Sequence, residues 1–214
     1  MEFLPSTSVL IAFSLAAAVV IMAPGPDMTL FIGRTLSQGR RAGIVSYLGA
    51  TTGLFVHTLF AALGLSALLA ASAEAFTVLK IIGAVYLLWL AIDAIRNGSA
   101  LDVSREQARP QKLHRVFLTG LGINLLNPKI ILFFVTFLPQ FISASDPHAA
   151  AKLTFLGVYF IVLAVPFCLA VIIAADRIAA TVRRSPSVTR VMDWLFAGVF
   201  ASFAVRLLLE PSRN

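Results

Sequence analysis

The stretch Ala23-Pro24-Gly25-Pro26-Asp27 interrupts the first long apolar run of the chain, and Asn124-Leu125-Leu126-Asn127-Pro128-Lys129 interrupts the fourth. Pro26 and Pro128 lack a backbone N–H and suit the first position of a new helix, with Gly25 and Asn127 as acceptable N-caps. Each break therefore reads as the start of a half-helix whose free N–H groups and positive dipole end point into the protein. Such an end favours anions, carboxylates included. In lipid, irregular backbone is tolerated only where it is buried in protein or lines a cavity. A broken helix at the matching place in each of two halves points to a transporter's binding site.

Composition sets those breaks in a membrane. The chain is 59% hydrophobic and only 13% charged, against about 25% charged in a soluble domain, and its mean hydropathy is +0.91. A formal net charge of +7 would suggest nucleic acid in a soluble protein. Here the basic residues gather in short connectors between apolar runs, where they set membrane orientation and leave no nucleic-acid role. Cys168 is the sole cysteine, in mid-run; it excludes a thiol-redox pair and reads as packing. Glu2 is the one charged side chain before Asp27, so the first run lacks the basic start of a signal peptide and reads as a retained span.

Six segments reach the ~20 apolar residues that a span needs, at about 8–33, 43–70, 76–96, 116–142, 152–175 and 188–209. The fold expected is therefore all-α, a polytopic membrane protein with broken helices 1 and 4. A linker, 97–115, separates a first three-helix half, 1–96, from a second, 116–214. Arg34, Arg40 and Arg41, then Arg96, Arg105, Arg109, Lys112 and Arg115, then Arg177, Arg183, Arg184 and Arg190 fall in connectors one, three and five. Only Lys80, Lys152, Arg206 and Arg213 fall on the other side, with Arg206 snorkelling. Positive-inside reasoning places both termini outside. Three spans per half make the second half enter upside down, a 3+3 inverted-topology repeat.

Equivalence of Pro26 and Pro128 puts Asp27 and Lys129 in corresponding places, one negative and one positive. A zwitterionic α-amino acid needs that pair, an anion for its ammonium and a cation for its carboxylate. Asp27 is also a candidate proton carrier, given burial. The competing reading is a carboxylate favouring its helix N-terminus and a structural ion pair with Lys129. On the span limits above, Asp27 lies nearer the end of its span than Lys129 does. Gly49, Gly53, His57 and Ala61 recur every four residues on one face of span two. Gly49 and Gly53 form a small-residue packing seam, open to a fold contact or to a homodimer. His57 is either a proton relay or a hydrogen-bonded structural histidine. Asn124 could bond freed backbone groups or substrate. Asp93 with Arg96 and Asp193 with Arg190 read as interfacial pairs.

Several motifs in order resemble the LysE/RhtB family of bacterial amino-acid exporters: Ala23-Pro24-Gly25-Pro26-Asp27, Gly53 with His57, Gly83-Ala84-Val85-Tyr86-Leu87-Leu88-Trp89-Leu90, Asn124-Leu125-Leu126-Asn127-Pro128-Lys129 and Pro139-Gln140-Phe141. Ala91 departs from the glycine such proteins often carry after the Trp-Leu pair, and the second half of the last span is only loosely similar. The resemblance implies proton-driven export of amino acids such as threonine, homoserine, leucine or lysine across a bacterial inner membrane, with no cofactor and no enzymatic step.

Read with the residues, that implies substrate binding at Gly25, Pro26, Asp27, Asn124, Asn127, Pro128 and Lys129, and proton coupling at Asp27 and His57. The partners expected are an amino acid, protons and the bilayer. An intramembrane hydrolase would need a second deep aspartate or a nucleophile beside His57, and a metal-ion transporter more intramembrane ligands. Both remain alternatives, as does a transporter of another small solute. A structural or signalling protein would not need two matched breaks.

Overall fold

A backbone in lipid satisfies its own N–H and C=O groups, and this chain does so by forming helices. The computed structural model describes residues 4–65, 111–143 and 146–184, with scattered helical positions between 78 and 96 and between 187 and 205. Asp93, Asp193 and residues 97–110 of the expected linker lie outside the described residues.

Helix α1, Thr7–Met22, starts on the Ser6 hydroxyl, which accepts from the Val9 N–H. Its ladder stops where Pro24 can supply no N–H. Helix α2, Pro26–Gln38, restarts the chain with Gly25 as N-cap and Pro26 in its first turn. Gly39, at φ 85°, closes α2 and opens α3, Arg40–Phe60. That left-handed conformation favours glycine, and it makes the connection a single residue. A π-helical turn, Ala61–Leu65, continues α3.

Helix α4, Leu113–Leu125, ends at the second break, and α5, Pro128–Leu132, begins on the Asn127 side chain, which accepts from the Lys129 N–H. Beyond α5 the helix widens to a π turn, Phe133–Phe137, and tightens to a 3₁₀ turn at Leu138–Phe141. Helix α6, Ala149–Ile173, runs through Pro166 unbroken, and α7, Ala175–Arg184, follows it.

Among the described residues, two helices are long and apolar enough to cross a bilayer unaided, Arg40–Gly64 and Ala149–Ile173, each 25 residues long. That is about 38 Å at 1.5 Å per residue, against a hydrocarbon core of about 30 Å. The two broken pairs reach the same length together, α1 with α2 bent by 51° and α4 with α5 and its continuation bent by 49°. Large apolar side chains such as Leu15, Phe60 and Val162 are exposed on the outside, as a lipid-facing surface requires. The described residues are all-helical, and the chain is a polytopic membrane protein.

Two expectations need correction. The first span does not stop at residue 33; α2 continues to Gln38, and Arg34 lies inside it, only 9% exposed, rather than in a connector. Its guanidinium Nη2 donates to Gln111 Oε1 at 2.9 Å, and the Gln111 N–H donates to Gln38 Oε1 at 3.0 Å. Polar partners at the helix end make burial of a charged residue tolerable, which hydropathy alone does not register. With the longer α2, both breaks fall near the middle of their spans, and the expected difference in depth disappears.

Among the described helices, α3 packs most extensively against α4. A Cβ on Gly49 would collide with the Phe117 carbonyl, one on Gly53 with the Asn124 side chain, and one on Gly120 with the Ser46 carbonyl. The seam expected on span two is thus filled by α4 of the same chain and offers no face to a second copy. Gly49→Ala must push backbone against backbone and lowers stability by about 1–3 kcal/mol, or about 2–10 °C in melting temperature for a chain of this size. Gly122→Ala, which meets nothing within 4 Å, keeps it or raises it slightly, since alanine suits a helix interior better than glycine. A thermal-shift assay in detergent compares the two; equal melting temperatures would contradict the seam.

A phenylalanine-rich cluster, including Phe13, Phe133, Phe134, Phe137 and Phe160, fills the bundle on one side of the breaks. A second cluster with Met28, Phe31, Tyr47 and Cys168 fills the other. Ala84, Ala91, Ala197 and Ala204 form a third around Ala23. Arg40 donates to the Ile173 carbonyl at 3.3 Å, tying the start of α3 to the end of α6. At the opposite end of α6, Lys152 and the His148 N–H both donate to Asp146 and hold its carboxyl below the usual carboxylate range.

Candidate functional site

The two breaks meet. Pro24 leaves the Val20 carbonyl of α1 without its i+4 donor, and a residue from the other break replaces it. The Lys129 ammonium donates to the Ala23 carbonyl at 2.7 Å and to the Val20 carbonyl at 3.3 Å. Gly25 lies directly beneath: a Cβ there would stand 3.1 Å from Lys129 Nζ and 3.3 Å from its Cε. Absence of a side chain at Gly25 is what lets the lysine reach across.

Asp27, in the first turn of α2, is held by the second break in return. Its Oδ2 accepts from Asn124 Nδ2 at 2.8 Å and from Asn127 Nδ2 at 2.9 Å. Asn127 thus serves both helices, since its Oδ1 caps the Lys129 N–H at 3.1 Å. Asn124 and Asn127 are each 1% exposed. The other carboxylate oxygen, Asp27 Oδ1, is buried and has no protein partner, and neither has Asn124 Oδ1. A buried acceptor left open in this way calls for water, an ion or a ligand.

Asp27 and Asn124 line a cavity of about 50 Å³. Asp27, Asn124 and Lys129 form its polar wall; Phe31, Tyr47 and Phe160 supply aromatic surface, and Ala50 and Ala164 keep it open. At about 10–15 Å³ per water centre it admits a few waters, less than an amino acid occupies. Phe133 lies against Phe160 of the lining, ring centroids 4.5 Å apart and the planes tilted by 35°.

Not every predicted site residue lines this space. Gly25 and Asn127 are buried behind the polar wall, while Pro26 and Pro128 are exposed and contribute helix starts. His57 is buried outside the cavity lining, stacked on Phe134 with centroids 5.7 Å apart, and its Nε2–H donates to the Asn124 carbonyl at 3.3 Å. Its connection to Asp27 passes through Asn124, whose backbone carbonyl meets His57 and whose side-chain amide donates to Asp27. Among the described residues, no three His, Cys, Asp or Glu side chains converge as a metal site would require.

Two residues escaped the sequence reading. Tyr47 is 5% exposed, lines the cavity and carries a hydroxyl without a well-formed hydrogen bond; nothing in its sequence position marks it, because tyrosines are ordinary near helix ends in membranes. Arg34 was hidden by its charge, as described above.

The LysE type translocator family model matches residues 18–211. The homoserine/homoserine lactone efflux protein of Salmonella typhimurium is 32% identical over 203 residues, covering 95% of this chain and 96% of that protein. An uncharacterized membrane protein of Vibrio cholerae is 34% identical over 193 residues, 89% of this chain and 91% of its own. The uncharacterized membrane protein YrhP of Bacillus subtilis is 37% identical over 142 residues, 63% and 68% respectively. No solved structure matches the chain.

Proposed function

This chain belongs to the LysE type translocator family, a membrane exporter of small solutes and not an enzyme, and we propose that its cargo is a small zwitterionic amino acid, exported across the bacterial inner membrane in exchange for protons. The observation that carries this reading is the polar wall of the cavity. Asp27 Oδ1 is an open anionic acceptor, and the Lys129 ammonium, with two of its three N–H groups on backbone carbonyls, retains one for a carboxylate. The two charges come from opposite halves of the chain. A substrate's ammonium and carboxylate would therefore bridge the halves.

Similar bends of 51° and 49° at proline breaks support a 3+3 inverted repeat, whose halves, 1–96 and 116–214 joined by the linker 97–115, would rock about the site. The cavity is too small for an amino acid, so the structure corresponds to a closed conformer, and binding requires the halves to part. In the proposed cycle Asp27 exchanges a proton for the substrate ammonium, and His57 positions Asn124 from behind. The distribution of basic residues favours both termini outside. The Salmonella relative's name makes homoserine the first cargo to test.

Reconstituted protein in preloaded vesicles, screened with amino acids with and without an imposed proton gradient, is expected to show gradient-dependent movement of at least one small amino acid. Absence of such movement for every amino acid would overturn the reading.

A further inference from the structure

We propose that Tyr47 is the specificity-determining residue of this site, its hydroxyl reading a hydrogen-bonding group on a short substrate side chain; the assignment rests on the amino-acid export reading above. Tyr47 is 5% exposed and lines the cavity that Asp27, Asn124 and Lys129 also line. Its ring stands edge-on to Phe31, centroids 5.9 Å apart at 77°. Phe31 lies one helical turn beyond Asp27 on α2, about 6 Å along the axis. Tyr47 is thus offset by about one turn from the groups assigned to the substrate's ammonium and carboxylate, where a side chain of a few atoms would extend.

The surroundings of that end are otherwise apolar: Met28, Phe31, Ala164 and Cys168 complete the wall. Within them the Tyr47 hydroxyl is buried and makes no well-formed hydrogen bond; the Thr51 hydroxyl and the weakly polar Cys168 thiol are its nearest polar neighbours. An orphaned hydroxyl destabilises the empty site, and a phenylalanine would serve the packing as well without that penalty. A polar group without a well-formed bond, on a residue that lines the cavity, fits a ligand that supplies the missing partner. A purely apolar side chain would leave it unpaired, which is how a site built to hydrogen-bond a hydroxyl rejects the analogue lacking it.

The test compares hydroxylated amino acids with their methyl-for-hydroxyl counterparts: homoserine with norvaline, threonine with valine, serine with 2-aminobutyrate. The full-length protein and Tyr47→Phe are each reconstituted in vesicles. The natural chain is expected to prefer the hydroxylated member of its best-transported pair by at least about 10-fold, and Tyr47→Phe to bring that ratio within about 2-fold, mainly by speeding the apolar analogue relative to the hydroxylated one. In detergent the same substrates should raise the melting temperature in the same order, because ligands stabilise the state that binds them. Tyr47→Phe should itself accumulate normally.

A ratio that survives Tyr47→Phe, transport confined to amino acids without a side-chain hydrogen-bonding group, or a Tyr47→Phe protein that fails to fold each overturns the assignment while leaving amino-acid export standing. No gradient-dependent movement of any amino acid removes both.

Discussion

Asp27→Asn accumulates in the membrane like the natural chain and exports its amino acid at least about 100-fold more slowly, the effect of removing one member of a buried charge pair worth about 3 kcal/mol or more. Retained folding follows from the geometry of the carboxylate. Asp27 Oδ2 accepts from both Asn124 and Asn127, and an asparagine at 27 can present its carbonyl oxygen to the same two donors. The amide nitrogen then takes the place of Oδ1, the oxygen that lacks a partner. A donor replaces an anionic acceptor where the substrate's ammonium is proposed to sit, and the titratable group disappears. Loss of binding and loss of proton coupling therefore arrive together, with the interhelical bonds intact. The check is efflux rate per molecule of folded protein, taken from membrane abundance and gel-filtration profile. Near-normal efflux in Asp27→Asn would exclude both roles.

Much of this site is legible in the sequence, because proline leaves a fixed mark on a helix. Pro26 and Pro128 each begin a helix, with Gly25 and Asn127 as N-caps, and these outcomes follow from local stereochemistry. Gly49 and Gly53 announced a close helix contact through their spacing, but spacing cannot name the partner, which is α4. What stayed hidden depends on three-dimensional neighbours. The Lys129 ammonium bonds to the carbonyls of the other break, a relation set by how the two halves dock. The π turn at Phe133–Phe137 shifts hydrogen bonding by one residue and leaves no compositional trace. Arg34 counted as a loop residue because hydropathy scores the residue and not the Gln111 that partners it.

Lys129→Met is expected to have two separable effects, because the ammonium has two kinds of partner. The first is structural. Pro24 deprives the Val20 carbonyl of its intrahelical donor, and Lys129 supplies one to it and another to the Ala23 carbonyl. Methionine fills similar space and strands both acceptors, at about 1–3 kcal/mol each if they stay dry. The melting temperature in detergent should fall by about 5 °C or more. The second effect concerns the substrate's carboxylate. The natural exporter should move an amino acid at least about 100-fold faster than its amino alcohol, in which CH₂OH replaces the carboxylate, since a charge-paired group is worth about 2–5 kcal/mol. If Lys129 receives that carboxylate, Lys129→Met slows the amino acid far more than the alcohol, and the ratio between them collapses. If it serves only to cap the broken helix, whatever protein remains folded retains the original ratio. Thermal stability reports the cap and the substrate ratio reports the binding, so a stability loss with an unchanged ratio would remove Lys129 from the proposed binding site and leave Asp27 as its only charged member.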